Sequence, residues 1–218
     1  MKKQISLYVA LIVFSLIMVW IDQSAMFSYF ERSAIKVTLF GLLPFIVLVL
    51  SRHKFVLFDK GKHLKIILLI SGGVMVVLFL AFLFLYPYGM FDFVGDSLAT
   101  NVGVTTANYP LVFVYIVFVN GPLEEFYFRY VMQLPQFTIS KHFKIGLSSL
   151  FFALYHVGML YTMFSWYLFV FAIVSLIGVG VFFSWVNHYH KGITYSVVLH
   201  MAANITINTV GAFLLYNL

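Results

Sequence analysis

Seven apolar runs, each near the roughly 20 helical residues needed to cross a hydrocarbon core, dictate what this chain can fold into. They fall at approximately residues 5–21, 34–51, 64–86, 110–133, 145–162, 164–187 and 192–216. Lipid offers no partner to an unpaired backbone amide or carbonyl, so spans of this kind form helices. The expectation is all-α: a polytopic transmembrane helical bundle of seven to eight spans, one integral membrane domain over residues 1–218. Hydrophobic residues make up 63% of the chain and charged ones 9%, which leaves no material for a water-soluble domain. An eighth span would have to come from Phe91 to Val104, a tract too polar to cross and read instead as a re-entrant or interfacial piece.

The net charge of +6 points to topology rather than to nucleic acid, because the basic residues sit between apolar runs. Lys2, Lys3, Arg52, Lys54, Lys60, Lys62, Lys65, Lys141, Lys144 and Lys191 mark the first end and every second connection, whereas the opposite connections offer Arg32 and Lys36. By the positive-inside rule the N-terminus is cytoplasmic and the protein is a multi-pass component of the cell membrane. The first run is read as an uncleaved span. Cysteine is absent, so there are no disulfides, thiolate ligands or thiol nucleophiles.

Ionisable residues inside spans cost about 2.5–3.5 kcal/mol each on insertion scales and mark function by default. The densest group is Gly121-Pro122-Leu123-Glu124-Glu125-Phe126-Tyr127-Phe128-Arg129 in the fourth span; His156, then His200 and Asn204, follow in later spans. Asn120-Gly121-Pro122 reads as a helix interruption, with Pro122 opening a new half-helix whose N-terminus favours the two carboxylates. Glu125 and Arg129 are four apart and can pair on one face, which leaves Glu124 without a sequence-local partner. Counted from the cytoplasmic ends at about 1.5 Å per residue, Glu124, His156 and His200 reach a common depth of roughly 13–17 Å. That agreement predicts a shared polar cavity in the cytoplasmic half of the membrane. The bland alternative is that these groups only knit helices together.

Glu124-Glu125-x-x-x-Arg129, Phe152-x-x-x-His156 and His200-x-x-x-Asn204 occur in the order of a known family. Over about residues 110 to 210 the chain resembles the CPBP intramembrane proteases (CAAX protease and bacteriocin-processing, or Abi). The division that follows is a motif-bearing core at 110–216 after N-terminal spans at 1–109 without motif. The resemblance implies that Glu124 and His156 activate a water, that His200 and Asn204 stabilise the oxyanion, and that Glu125 and Arg129 shape the site, with Phe152 opening the second motif. Metal-free water activation is the favoured reading; zinc, held by Glu124, His156 and His200, is the alternative. The implied partners are the lipid bilayer and a peptide or membrane-bound protein substrate, in a bacterial setting of bacteriocin processing or self-immunity. Other readings are a non-catalytic membrane adaptor or immunity protein, a small ion-coupled transporter, and a serine route through Ser148 or Ser149 with His200 as base.

Overall fold

A computed structural model describes residues 2–24, 26–59, 61–135, 137, 139–188 and 192–217, and of residues 2–5 the backbone alone. Lys60 and Lys191 of the topology argument therefore lie outside the described residues, as do the side chains of Lys2 and Lys3. Seven helices are long and apolar enough to cross a membrane: α1 (Ser6–Gln23), α2 (Tyr29–Leu50), α3 (Leu64–Tyr88), α4 (Tyr109–Val131), α5 (Lys141–Leu160), α6 (Trp166–His188) and α7 (Thr194–Tyr216). No strand occurs among the described residues. The protein is a multi-pass, all-helical membrane protein. The tract after α3 forms two short helical pieces, Val94–Ser97 and Leu98–Val102, too short to cross, so the described residues supply seven spans and no eighth.

Two helices begin earlier than their apolar runs because a cap starts them. Ser28 accepts from the Glu31 amide while the Glu31 carboxylate accepts from the Ser28 amide, a capping box that starts α2 at Tyr29. Ser140 likewise accepts from the Phe143 amide and starts α5 at Lys141. The consequence for α2 is that Lys36, expected in a connection, lies two turns inside a span.

The proline in α4 does not break it. Asn120 keeps helical dihedrals, and the ladder widens to π-type bonding over Ile116–Asn120 and Glu125–Val131, on either side of the α-helical turn Gly121–Glu124. Pro122 lacks an amide hydrogen, and a local π adjustment absorbs that loss without ending the helix. The expected half-helix, with its N-terminal dipole beneath the glutamates, is thus replaced by one continuous helix.

Helix α4 is the hub: half of it is buried inside the protein, the largest share of any span, and it packs against α2, α5 and α7. Its inward face carries Tyr127 and Phe128, both fully buried; Tyr127 stacks on Phe40 of α2 at 4.0 Å and donates to the Leu11 carbonyl of α1. Outward faces are apolar and exposed, as at Leu69, Phe84, Phe171 and Val174, the pattern a lipid-facing surface requires. Helices α5 and α6 meet closely at Gly180, where a Cβ would lie 2.8 Å from the Ser149 Cβ.

The connection between α2 and α3 crosses the ends of α4 and α7. His53 Nε2 lies 2.9 Å from the Tyr130 hydroxyl, the Ile193 amide donates to the Leu57 carbonyl at 2.9 Å, and Asp59 and Thr194 bond reciprocally at 3.0 Å. Gly192, at φ +112°, permits that approach, since a Cβ there would run into the Leu57 backbone.

Candidate active site

Three spans bring Glu124, His156 and His200 together, as their common depth predicts. Glu124 Oε2 lies 3.8 Å from His156 Nε2 and 3.7 Å from His200 Nε2. His156 meets the others because α5 runs from the α4–α5 connection back along α4. Lys144 Nζ donates to the Leu134 carbonyl at 2.9 Å, which places the first turn of α5 beside the α4–α5 connection. The α-helical stretch Lys141–Tyr155 then ends at His156.

Each imidazole has one nitrogen committed. His156 Nδ1 donates to the Phe152 carbonyl at 2.6 Å, and a carbonyl can only accept, so the hydrogen is on Nδ1 and the neutral ring presents a lone pair at Nε2. Phe152, four residues earlier, therefore fixes the tautomer through its backbone, and its ring meets that of His156 edge-on. His200 Nδ1 lies 2.8 Å from Glu125 Oε1, and its Nε2 faces Glu124.

Glu125 and Arg129 pair as their spacing predicts, at 3.3 Å, with both side chains fully buried. Arg129 is also enclosed by aromatic rings: its guanidinium carbon stands 4.0 Å from the Phe152 ring centre, 5.4 Å from Phe183 and 5.9 Å from Phe128. A guanidinium attracted to the negative faces of π-systems holds its charge away from water at reduced cost. Arg129, Glu125 and His200 form one polar chain running from α4 to α7.

Glu124 is not the partnerless carboxylate that its local sequence suggests. Its Oε1 accepts from Asn120 Nδ2 at 2.6 Å and from the Tyr155 hydroxyl at 3.0 Å. Lys36 donates to Asn120 Oδ1 at 3.0 Å and to the Tyr155 hydroxyl, with its ammonium 4.7 Å from the Tyr155 ring centre. Lys36, Asn120 and Tyr155 escaped the sequence reading, although Ser28-x-x-Glu31 signals the helix start that draws Lys36 inward. Oε2 has no hydrogen-bond partner among the described residues and faces the two histidines.

Asn204 stands one helical turn from His200, and its Nδ2 donates to the Ile116 carbonyl at 3.1 Å. It therefore braces the first π-type stretch of α4; one amide hydrogen remains for another acceptor. The approach is close because Gly121 has no side chain: a Cβ there would lie 3.1 Å from Asn204 Nδ2 and 3.8 Å from the His200 ring.

The expected polar cavity is not seen among the described residues, where the four side chains form a largely buried cluster. Glu124 and Glu125 have no exposure, and the side chains of His156 and His200 are 15% and 8% exposed. Two hollows among the described residues lie elsewhere, one lined by Gln133, Pro135, Lys141 and Lys144, the other on α3. Neither serine meets His200: Ser148 bonds the Phe128 carbonyl and Gln133, and Ser149 abuts Gly180.

Glu124 Oε2 and the two Nε2 atoms are the donors a zinc ion would need, and tying the far ring nitrogens is what metal-bound histidines require. Their spacing is wider than the roughly 3.3 Å edge of a tetrahedron with bonds of about 2.0–2.1 Å. Among the described residues no group of three His, Cys, Asp or Glu side chains is arranged to hold a metal ion. As the side chains stand, they do not fit zinc.

The family model described as type II CAAX prenyl endopeptidase, Rce1-like, matches residues 106–206. No curated protein and no solved structure matches the chain. The matched segment begins just before α4 and ends within α7, so it takes in Glu124, Glu125, Arg129, Phe152, His156, His200 and Asn204, while Lys36 lies outside it. Over residues 106–206 this chain is similar to the Rce1-like type II CAAX prenyl endopeptidases, a match consistent with the CAAX protease family that its three motifs resemble.

Proposed function

We propose that the protein is an endopeptidase that hydrolyses a peptide bond of a membrane-associated protein or peptide with water activated by Glu124 and His156. The observation that carries this reading is the unpartnered, buried oxygen of Glu124: Oε1 is held by two donors, while Oε2 is unbonded and faces two imidazole nitrogens. A water bound between Oε2 and His156 Nε2 has an acceptor for each of its hydrogens. As its oxygen attacks the scissile carbonyl, its O–H bond breaks and the proton passes to Glu124, which then delivers it to the leaving amine as the C–N bond cleaves.

Oxyanion stabilisation falls to α7. His200 Nδ1–H is directed at Glu125, so the ring donates from Nε2 only as the imidazolium, and the Glu125 carboxylate supports that charge. The second amide hydrogen of Asn204 supplies another donor. Prepositioned donors of this kind are worth about 10²–10³ in rate each, because they need no reorganisation at the moment of reaction. The step uses no metal. A bacterial cell membrane, a cytoplasmic N-terminus and a bacteriocin-processing or self-immunity role complete the proposal.

The test is to incubate the purified protein in lipid vesicles with soluble and lipid-anchored peptides and to identify products by mass spectrometry. Cleavage by the wild type that is lost in Glu124→Ala is expected. A wild type that leaves every peptide intact, or a Glu124→Ala variant that cuts as well, overturns the reading and favours a non-catalytic adaptor.

A further inference from the structure

We propose that Lys36 is a positioning residue of this reaction centre, a cation supplied from outside the family-matched segment that sets which oxygen of Glu124 meets the water. The inference rests on the protease reading above. Lys36, Asn120, Tyr155 and Glu124 close a ring of four hydrogen bonds drawn from α2, α4 and α5. Two of its members can reverse their roles, since an amide can flip and a phenol can turn its hydrogen; the carboxylate can rotate but only accepts. An ammonium has donors and no acceptor.

Every bond in the ring therefore runs from the Lys36 ammonium towards the Glu124 carboxylate. By donating to Asn120 Oδ1 Lys36 leaves Nδ2 for Glu124; by donating to the Tyr155 oxygen it leaves the phenolic hydrogen for Glu124. Both donors land on Oε1, and Oε2 is left to the histidines. Without the ammonium, Asn120 Oδ1 and the Tyr155 oxygen lose their donor and both side chains can turn away from Oε1, after which nothing holds Oε2 in place. The positive charge also offsets the cost of a carboxylate in a poorly polarisable interior, at two hydrogen bonds' remove. A lysine two turns inside a span is otherwise expensive.

Kinetics of Lys36→Met and Lys36→Gln in lipid vesicles, on a peptide the wild type cleaves, test the assignment. Lys36→Met lowers kcat by about 10–100-fold with KM within about twofold. Lys36→Gln, which keeps a donor for Asn120, recovers part of the rate. In a Glu124→Ala background Lys36→Met causes no further loss. Full kcat in Lys36→Met, beside an inactive Glu124→Ala, overturns the role of Lys36 and leaves the protease reading intact.

A second readout needs no activity. With 15N-lysine label, the Nζ resonance that vanishes in Lys36→Met is expected to shift in Glu124→Gln, Asn120→Ala and Tyr155→Phe. If wild type cuts nothing, the protease reading fails by itself and this resonance still decides the ring. A resonance that stays put in all three variants overturns the proposal.

Discussion

His200 Nδ1 lies 2.8 Å from Glu125 Oε1, the same oxygen that stands 3.3 Å from Arg129. One carboxylate oxygen thus joins the fixed cation of α4 to the titratable ring of α7. The ring is aimed by that bond, and its other nitrogen faces Glu124.

Glu125→Gln removes the anion but keeps the shape. Arg129 is left as a buried charge without its counter-ion, which costs about 3–5 kcal/mol of stability. Turnover falls by about 10²-fold, because the imidazolium loses its support. Adding Arg129→Met restores much of the stability, read from the unfolding midpoint in mixed detergent, and none of the rate. Recovery of both together would mean that the pair is structural only.

Gly121→Ala introduces a Cβ that would sit 3.1 Å from Asn204 Nδ2, so the amide must move. A loss of about tenfold in kcat with little change in KM is expected if Asn204 meets the oxyanion. Gly211→Ala is the control, since its Cβ would find ordinary contact at 3.7 Å from the Tyr109 hydroxyl oxygen. Equal kinetics in the two variants would remove Asn204 from the reacting centre.

Tyr127→Phe separates scaffold from chemistry. The hydroxyl bonds the Leu11 carbonyl and lies 3.4 Å from Ser15, on the side of α4 that meets α1. Its removal lowers stability by about 1 kcal/mol and leaves kcat unchanged. A large kinetic effect would show that the α1–α4 contact reaches the site.

The bundle itself was legible in the sequence, because lipid leaves one solution to a long apolar run and seven such runs became seven helices. The convergence of Glu124, His156 and His200 was legible too, since helices of known rise carry depth as a countable quantity. Lys36 was misread as a loop charge: hydropathy marks where apolar residues begin, whereas Ser28 and Glu31 mark where the helix begins. The proline of α4 was misread because its local rule predicts an interruption, and packing against three neighbours instead stabilises a widened π-type ladder. The ring around Glu124 joins three helices, so sequence spacing carried no trace of it beyond Asn120 and Glu124 themselves.

Topology can be read from single cysteines, because the natural chain has none. Lys62→Cys, between α2 and α3, is expected to react with a membrane-impermeant maleimide only after cells are opened. Asp92→Cys, between α3 and α4, is expected to react in intact cells. The reverse pattern would invert the protein and move the site to the outer half of the membrane.

Hydrolysis of a fluorogenic peptide panel by the protein in lipid, measured for wild type and Glu124→Ala with and without a strong chelator, tests the central claim most directly. The account predicts that wild type cleaves, that the chelator leaves its rate unchanged, and that Glu124→Ala loses at least about 10²-fold. Cleavage abolished by chelator and restored by added zinc would contradict the metal-free mechanism, and a Glu124→Ala variant as fast as wild type would contradict the assignment of the base.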